Sequence, residues 1–124
     1  MRTQDKTTAI YVRTAVHNRT GDPSLVMQEQ RCRAYAAARG WHALEVFADE
    51  DIGGTQRDRL GMNRLLTAAR DRVVERLLIA RPDSLSRSYT DMQAIVDEME
   101  AQGVGCVSVE QPSYLRAPQP AESE

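Results

Sequence analysis

Four short apolar runs alternate along the chain with three segments whose apolar residues recur at helical spacing. The runs are rich in β-branched and aliphatic side chains, which is typical of buried strands. This alternation predicts an α/β fold, with a mainly parallel sheet of about four strands and helices on both of its faces. The predicted strands are residues 8–13, 42–49, 76–80 and 104–109, and the predicted helices are residues 25–39, about 62–72 and about 89–102.

Capping residues mark the ends of two predicted helices. Ser24 precedes the first helix, and a serine hydroxyl there can accept a main-chain N–H of the first turn. Gly40 and Gly103 follow the first and third helices, at the position where a residue in the left-handed conformation often ends a helix. The sequence therefore predicts these boundaries from local chemistry as well as from periodicity.

Polar residues collect directly after three of the predicted strands, in segments 13–16, 49–55 and 81–88. The carboxyl ends of parallel strands meet at one edge of a sheet, which we call the rim. Functional groups of α/β sheets gather at this edge. The rim is therefore the candidate site, although its residue types alone do not specify a reaction.

The composition argues against several classes of protein. No apolar run approaches the roughly 20 residues that cross a bilayer, and the polar N-terminal residues do not form a signal peptide. We therefore expect a cytoplasmic protein without membrane contact. The cysteines and histidines are isolated from one another, which predicts no metal site and no cofactor. A net charge of −2 gives no support to autonomous DNA binding.

Four motifs occur in order on the predicted elements. The first strand carries AIYVRTA (9–15), the next helix begins with SLVMQ (24–28), a polar loop leads into Asp-Arg-x-Gly (58–61), and PDSLSRS (82–88) follows the third strand. Together they resemble the N-terminal catalytic domain of the serine-recombinase (resolvase/invertase) family. The resemblance covers about residues 8–111. It implies a resolvase-like fold and, for an intact member, site-specific DNA recombination.

The resemblance also implies roles for individual residues. Arg13, Arg59 and Arg87 fall where the family binds the scissile phosphate or supports its binding. A guanidinium suits that task because it can pair two N–H groups with phosphate oxygens. Three further residues match supporting positions of the family: Tyr11, Gln28 and Asp83. Arg13 and Arg87 could instead form structural ion pairs with Asp83, Asp49 or Glu50.

The departures from the family pattern concern its chemistry. The nucleophilic serine is expected at position 15, where this chain has Ala15, and a methyl group cannot attack phosphorus. The first arginine of the last motif is expected at position 84, where this chain has Ser84. That change removes a positive charge where negative charge develops in the transition state. The serine of the family's Ser-Gly pair is replaced by Gly53.

The family's chain normally continues beyond its last strand. A long helix carries much of the dimer contact there, and a DNA-binding domain follows it. In this chain residues 112–124 hold three prolines and end in small and acidic residues. We expect a catalytic-type domain over residues 1–111 and a disordered tail over 112–124, without that long helix.

These features favour a catalytically inactive serine-recombinase-like domain that acts by binding. Its partner would be another protein or, weakly, a phosphate group such as the DNA backbone. One alternative is the working catalytic domain of a site-specific DNA recombinase, present as a truncated or Ser-to-Ala form. Another is the remnant of a decayed mobile element without a selected activity.

Overall fold

The computed structural model describes residues 7–14, 24–50, 59–86 and 88–110. Strands and helices alternate in the predicted order. The strands are β1 (Thr7–Thr14), β2 (Leu44–Glu50), β3 (Val74–Ile79) and β4 (Gly105–Ser108), and the helices are α1 (Leu25–Ala38), α2 (Leu60–Arg70) and α3 (Tyr89–Ala101). A 3₁₀ turn at Pro82–Ser84 follows β3.

The four strands form one parallel sheet in the order β2-β1-β3-β4. The chain moves from β1 outward to β2, then crosses back past β1 to β3 and on to β4. Because crossover connections are right-handed, such an order requires α1 on one face and α2 and α3 on the other. The predicted α/β architecture with helices on both faces is confirmed.

The two faces of the sheet bury unequal cores. On one face α2 and α3 pack side chains such as Leu65 and Met99 against Tyr11 and Leu77 of the sheet. On the other face α1 alone packs Cys32 and Ala36 against Ile10, Val12 and Leu78. Since one helix cannot cover four strands, half-buried residues of β2, of β4 and of the segment just after β4 flank α1: Leu44, Val46, Val107 and Val109.

Helix ends follow local chemistry. The hydroxyl of Ser24 accepts the main-chain N–H of Met27 at 3.1 Å, so the predicted cap of α1 is confirmed. Gly40 and Gly103 adopt φ of +77° and +81°, the conformation that favours glycine. The start of α2 was predicted two residues too late, because Leu60 is exposed and adds nothing to the apolar periodicity.

The strand order reverses between β1 and β3, and we call the carboxyl ends of these two strands the crevice. These strands are neighbours, but the helices that follow them lie on opposite faces of the sheet. Connections that diverge in this way leave a crevice at the carboxyl ends of the two strands, where α/β proteins bind ligands. None of the helices that the structure describes combines the length and apolar content that a bilayer crossing requires.

Candidate phosphate site at the sheet rim

The side chain of Gln28, in α1, forms hydrogen bonds with the end of β1. The register of β1 with β3 stops at Tyr11, whereas its register with β2 continues to Thr14. Beyond that stop, the buried Gln28 side chain accepts the main-chain N–H of Arg13 at 3.1 Å and donates to the carbonyl of Arg13 at 3.0 Å. The amide thus satisfies main-chain groups of β1 much as a neighbouring strand would.

Ser84 joins the same amide from the other side of the crevice. It closes the 3₁₀ turn after β3, is only 5% exposed, and donates its hydroxyl to Gln28 Oε1 at 3.3 Å. We call Gln28, the main chain of Arg13 and the Ser84 hydroxyl the Gln28 clasp. The clasp ties α1, β1 and the turn after β3 together at the crevice.

The guanidinium of Arg13 lies against this turn. Its Nη1 donates to the main-chain carbonyl of Asp83 at 3.4 Å, and the residue as a whole is buried. The carboxylate of Asp83 is exposed and pairs with Arg81 at 3.2 Å. Asp83 therefore contacts Arg13 through its main-chain carbonyl, while its carboxylate pairs with Arg81.

Asp49 organises a second polar group at the rim. It is the penultimate residue of β2 and accepts the Tyr11 hydroxyl at 2.6 Å. It also accepts the main-chain N–H groups of Gly61 at 2.7 Å and Met62 at 2.9 Å. A carboxylate suits the first turn of α2, because free N–H groups and the positive end of the helix dipole lie there.

Gly61 permits this close approach of α2 to β2. A Cβ atom at this position would lie 2.4 Å from the carbonyl oxygen of Ala48. No side chain fits at that distance, so the glycine of the Asp-Arg-x-Gly motif has a steric reason to be glycine. The contact sets α2 near enough for Asp49 to cap it.

Arg59 connects α2 to the loop after β3. Its Nη2 donates to the Tyr11 hydroxyl at 2.9 Å and to the carbonyl of Leu85 at 2.6 Å. Its Nη1 lies 3.5 Å from the carboxylate of Asp91. We call Asp49, Tyr11, Arg59 and the main-chain groups that they bind the Asp49 network. In this network the guanidinium of Arg59 forms its hydrogen bonds and its ion pair with other groups of the protein.

Two buried groups stay protonated over the ordinary pH range. Burial, together with the hydrogen bond to Asp49, raises the pKa of Tyr11 above its ordinary value. The phenol therefore remains a donor to the carboxylate. Burial, with a smaller effect of Glu29, raises the pKa of the Cys32 thiol to about 12. Cys32 is therefore present as a thiol near neutral pH.

Several predicted site residues can now be located. The structure brings Arg13, Gln28 and Ser84 together, with Asp83 beside them, and it brings Arg59 to Tyr11. Ala15, Arg87 and Gly53 lie outside the described residues, as does the predicted tail. Within the described ranges no three His, Cys, Asp or Glu side chains converge, so no metal ligands can be named there.

Asp49 is the rim residue whose role the sequence does not predict. The sequence suggests it only as an ion-pair partner for arginines, whereas it accepts hydrogen bonds from a phenol and from the start of a helix. A carboxylate directly at the carboxyl end of a strand was the available signal. Its partner Tyr11 is 38 residues away along the chain, and no local pattern predicts that pairing.

The sequence model of the resolvase N-terminal domain matches residues 8–123. The chain belongs to the resolvase family. Its fold is that of a serine-recombinase catalytic domain. The resolvase-family domain is 26% identical to the N-terminal catalytic domain of TP901-1 integrase, with a TM-score of 0.74 over 95% of this chain and 97% of that one.

Other solved structures share the fold of the resolvase-family domain. A resolvase family site-specific recombinase from Streptococcus pneumoniae gives a TM-score of 0.69 at 20% identity, covering 96% of this chain and 89% of that one. The C-terminal catalytic domain of ISC1926 TnpA, an IS607-like serine recombinase, gives 0.69 at 23% identity, covering 94% and 79%. No curated protein sequence gives a significant match.

Proposed function

We propose that this resolvase-family domain binds phosphate groups at its rim and does not cleave DNA. The observation that carries the proposal is the state of Ser84. This residue stands where the family resemblance expects an arginine, and its hydroxyl is buried and donated to Gln28. A neutral side chain turned into the protein supplies no charge to a phosphoryl transition state.

Ala15 removes the second requirement of the reaction. Strand cleavage by this family needs an attacking hydroxyl at that position, and alanine has none. Losing the nucleophile and the arginine together leaves no acceptor for the phosphoryl group and weak support for its charge. Binding is then the activity that the remaining groups support.

Arg13 is the group best placed to hold a phosphate. It lies at the crevice where strand order reverses, its main chain is fixed by Gln28, and its Nη1 donates to the carbonyl of Asp83. Arg59 has a structural role in this proposal. Because its guanidinium binds Tyr11, Leu85 and Asp91, it supports the rim rather than the ligand.

The proposed affinity for DNA is low and independent of sequence. The chain carries a net charge of −2, so only the local field of the rim attracts a polyanion. Contacts to the phosphate backbone position a protein on DNA but do not select a sequence. Binding through such contacts weakens steeply with added salt.

Phosphate titration followed by NMR of the arginine side chains tests the proposal. We expect tens of millimolar phosphate to shift the Nε–H resonance of Arg13, and the change Arg13→Gln to abolish binding. Arg33→Gln is the matched control, because Arg33 is exposed on α1 and pairs with Glu29 at 2.7 Å. No shift at Arg13, or equal loss in both variants, would contradict the proposal.

Exposed apolar side chains favour a protein partner as a second candidate. Four of them stand in the first turns of the three helices, which all begin at the rim: Val26, Met27, Leu60 and Tyr89. Leu60 is 63% exposed. A second copy of the chain is the simplest partner to test. Concentration-dependent sedimentation that Leu60→Ser abolishes would support it, and a monomer at every concentration would exclude self-association.

A further inference from the structure

We propose that Ser84 is a positioning residue for Arg13. Position 84, where the family resemblance expects an arginine, would then have a role of its own rather than only lack that arginine. The inference rests on the proposed phosphate binding by Arg13. Ser84 would act through Gln28 and through the turn that contains it, without touching the ligand. Its hydroxyl would hold Arg13 in the position at which it binds phosphate at the crevice.

The hydrogen-bond pattern of Gln28 supports this role. An amide oxygen has two lone pairs, and Gln28 Oε1 accepts both the Arg13 N–H and the Ser84 hydroxyl. The amide nitrogen donates to the Arg13 carbonyl. A reversed amide would place its NH₂ group against the Arg13 N–H, so only one orientation of Gln28 satisfies β1. The Ser84 hydroxyl completes that orientation.

The position of Ser84 in its turn links the same hydroxyl to the guanidinium. The carbonyl that Arg13 Nη1 contacts belongs to Asp83, the residue immediately before Ser84 in the 3₁₀ turn. Anchoring Ser84 therefore places that carbonyl. One hydroxyl thus fixes Arg13 at two points, at its main chain through Gln28 and at its side chain through the turn.

A purely structural role makes a different prediction. If Ser84 only fills a buried space, Ser84→Ala should leave the rim unchanged, since it removes one oxygen atom. Ser86 provides the matched control. It is also 5% exposed in the same loop, but its hydroxyl accepts the N–H of Ser88 near the start of α3. Ser86→Ala therefore removes a comparable hydroxyl without touching the Gln28 clasp.

The test compares the wild type with Ser84→Ala, Ser84→Thr and Ser86→Ala, measuring the phosphate dissociation constant and hydrogen exchange of the Arg13 amide. We expect Ser84→Ala to weaken phosphate binding and to speed exchange, each by about threefold to tenfold, as the loss of one hydrogen bond allows. Ser84→Thr, which keeps the hydroxyl, and Ser86→Ala should resemble the wild type. If Ser84→Ala lowers the melting temperature markedly, Ser84→Cys is used instead as the variant that lacks the serine hydroxyl.

The two proposals fail in different ways. Absence of phosphate binding by the wild type would overturn the proposed function, while the exchange rate of the Arg13 amide would still report on the clasp. Normal phosphate binding and unchanged Arg13 exchange in Ser84→Ala would overturn the positioning role alone. Equal effects of Ser84→Ala and Ser86→Ala would also overturn it, because the loop would then act only through its general stability.

Discussion

The Gln28 clasp and the Asp49 network lie at the same rim and are both built from buried polar groups, but they bind different parts of their arginines. The clasp holds Arg13 by its main-chain N–H and carbonyl. The network holds Arg59 by its guanidinium, through Tyr11, Leu85 and Asp91. The structure therefore engages Arg13 through its main chain and through the turn after β3, and it engages Arg59 through its guanidinium.

The comparison assigns different roles to the two groups at the rim: the Asp49 network contributes to stability, and the Gln28 clasp contributes to ligand binding. Asp49 accepts three hydrogen bonds and joins β1, β2 and α2, so its loss should be felt throughout the domain. The clasp also makes three hydrogen bonds, but they converge on the main chain of Arg13 at the crevice between β1 and β3. Changes in the network should therefore alter the free energy of unfolding, and changes in the clasp should alter phosphate affinity.

The largest expected effect is that of Asp49→Ala on stability. Removing this carboxylate leaves the Tyr11 hydroxyl and two main-chain N–H groups of α2 without their acceptor in a buried setting. We expect a loss of about 3–5 kcal/mol in the free energy of unfolding, measured by urea denaturation. Glu50→Ala, which removes the neighbouring exposed carboxylate, should change it by less than about 0.5 kcal/mol. Similar values for both variants would mean that the network does not stabilise the domain.

A smaller loss of stability is expected for Gly61→Ala. The added methyl would meet the carbonyl oxygen of Ala48 at 2.4 Å, so α2 must move away from β2. We expect a loss of about 1–3 kcal/mol, the usual range for overpacking. Gly105→Ala is the control, because a Cβ at that position meets no atom within 4 Å. If Gly61→Ala proved as harmless as the control, the close approach of α2 would not be required.

Tyr11→Phe should cost about 1–2 kcal/mol near neutral pH, because one buried hydrogen-bond donor is lost. The difference from the wild type should depend on pH. The pKa of Tyr11 is raised in the folded state, so its contribution is complete below the unfolded pKa of about 10 and is lost as the pH rises above it.

Urea midpoints measured from pH 8 to strongly alkaline pH provide the check. The stability of the wild type should fall more steeply above pH 10 than that of Tyr11→Phe, so that the two curves converge. Other groups with raised pKa, such as Cys32, are common to both proteins and do not alter the comparison. Parallel curves would contradict the assignment of Tyr11 as a protonated donor.

The sequence was sufficient to predict the architecture, because the periods of strands and helices are local properties. The order of elements, the cap at Ser24 and the glycines after α1 and α3 all follow from neighbouring residues. The rim was predicted for the same reason, since carboxyl ends of strands can be found once the strands are known.

The interactions within the rim could not be predicted in the same way. Ser84 and Gln28 are 56 residues apart, and Arg59 and Tyr11 are 48 residues apart. The resemblance assigned both Arg13 and Arg59 to the phosphate without distinguishing them. Only the packed structure indicates which part of each arginine is engaged, because that depends on how α1 and α2 approach the sheet.

The most direct measurement of whether the domain lacks strand-cleavage chemistry uses the variant Ala15→Ser. The variant is fused to a sequence-specific DNA-binding domain, so that low DNA affinity cannot hide cleavage. It is given a nicked suicide substrate that carries the matching site. A denaturing gel then reveals any phosphoserine link as a shifted covalent band, and an active serine-recombinase catalytic domain in the same fusion is the positive control.

We predict no covalent band for Ala15→Ser. An arginine that stabilises a phosphoryl transition state contributes roughly 10³–10⁵ in rate, and Ser84 offers only a neutral hydroxyl that is donated to Gln28. Restoring the nucleophile alone therefore leaves cleavage too slow to detect. A band from Ala15→Ser beside a working control would contradict this prediction, because the chain would then be an enzyme disabled at one residue.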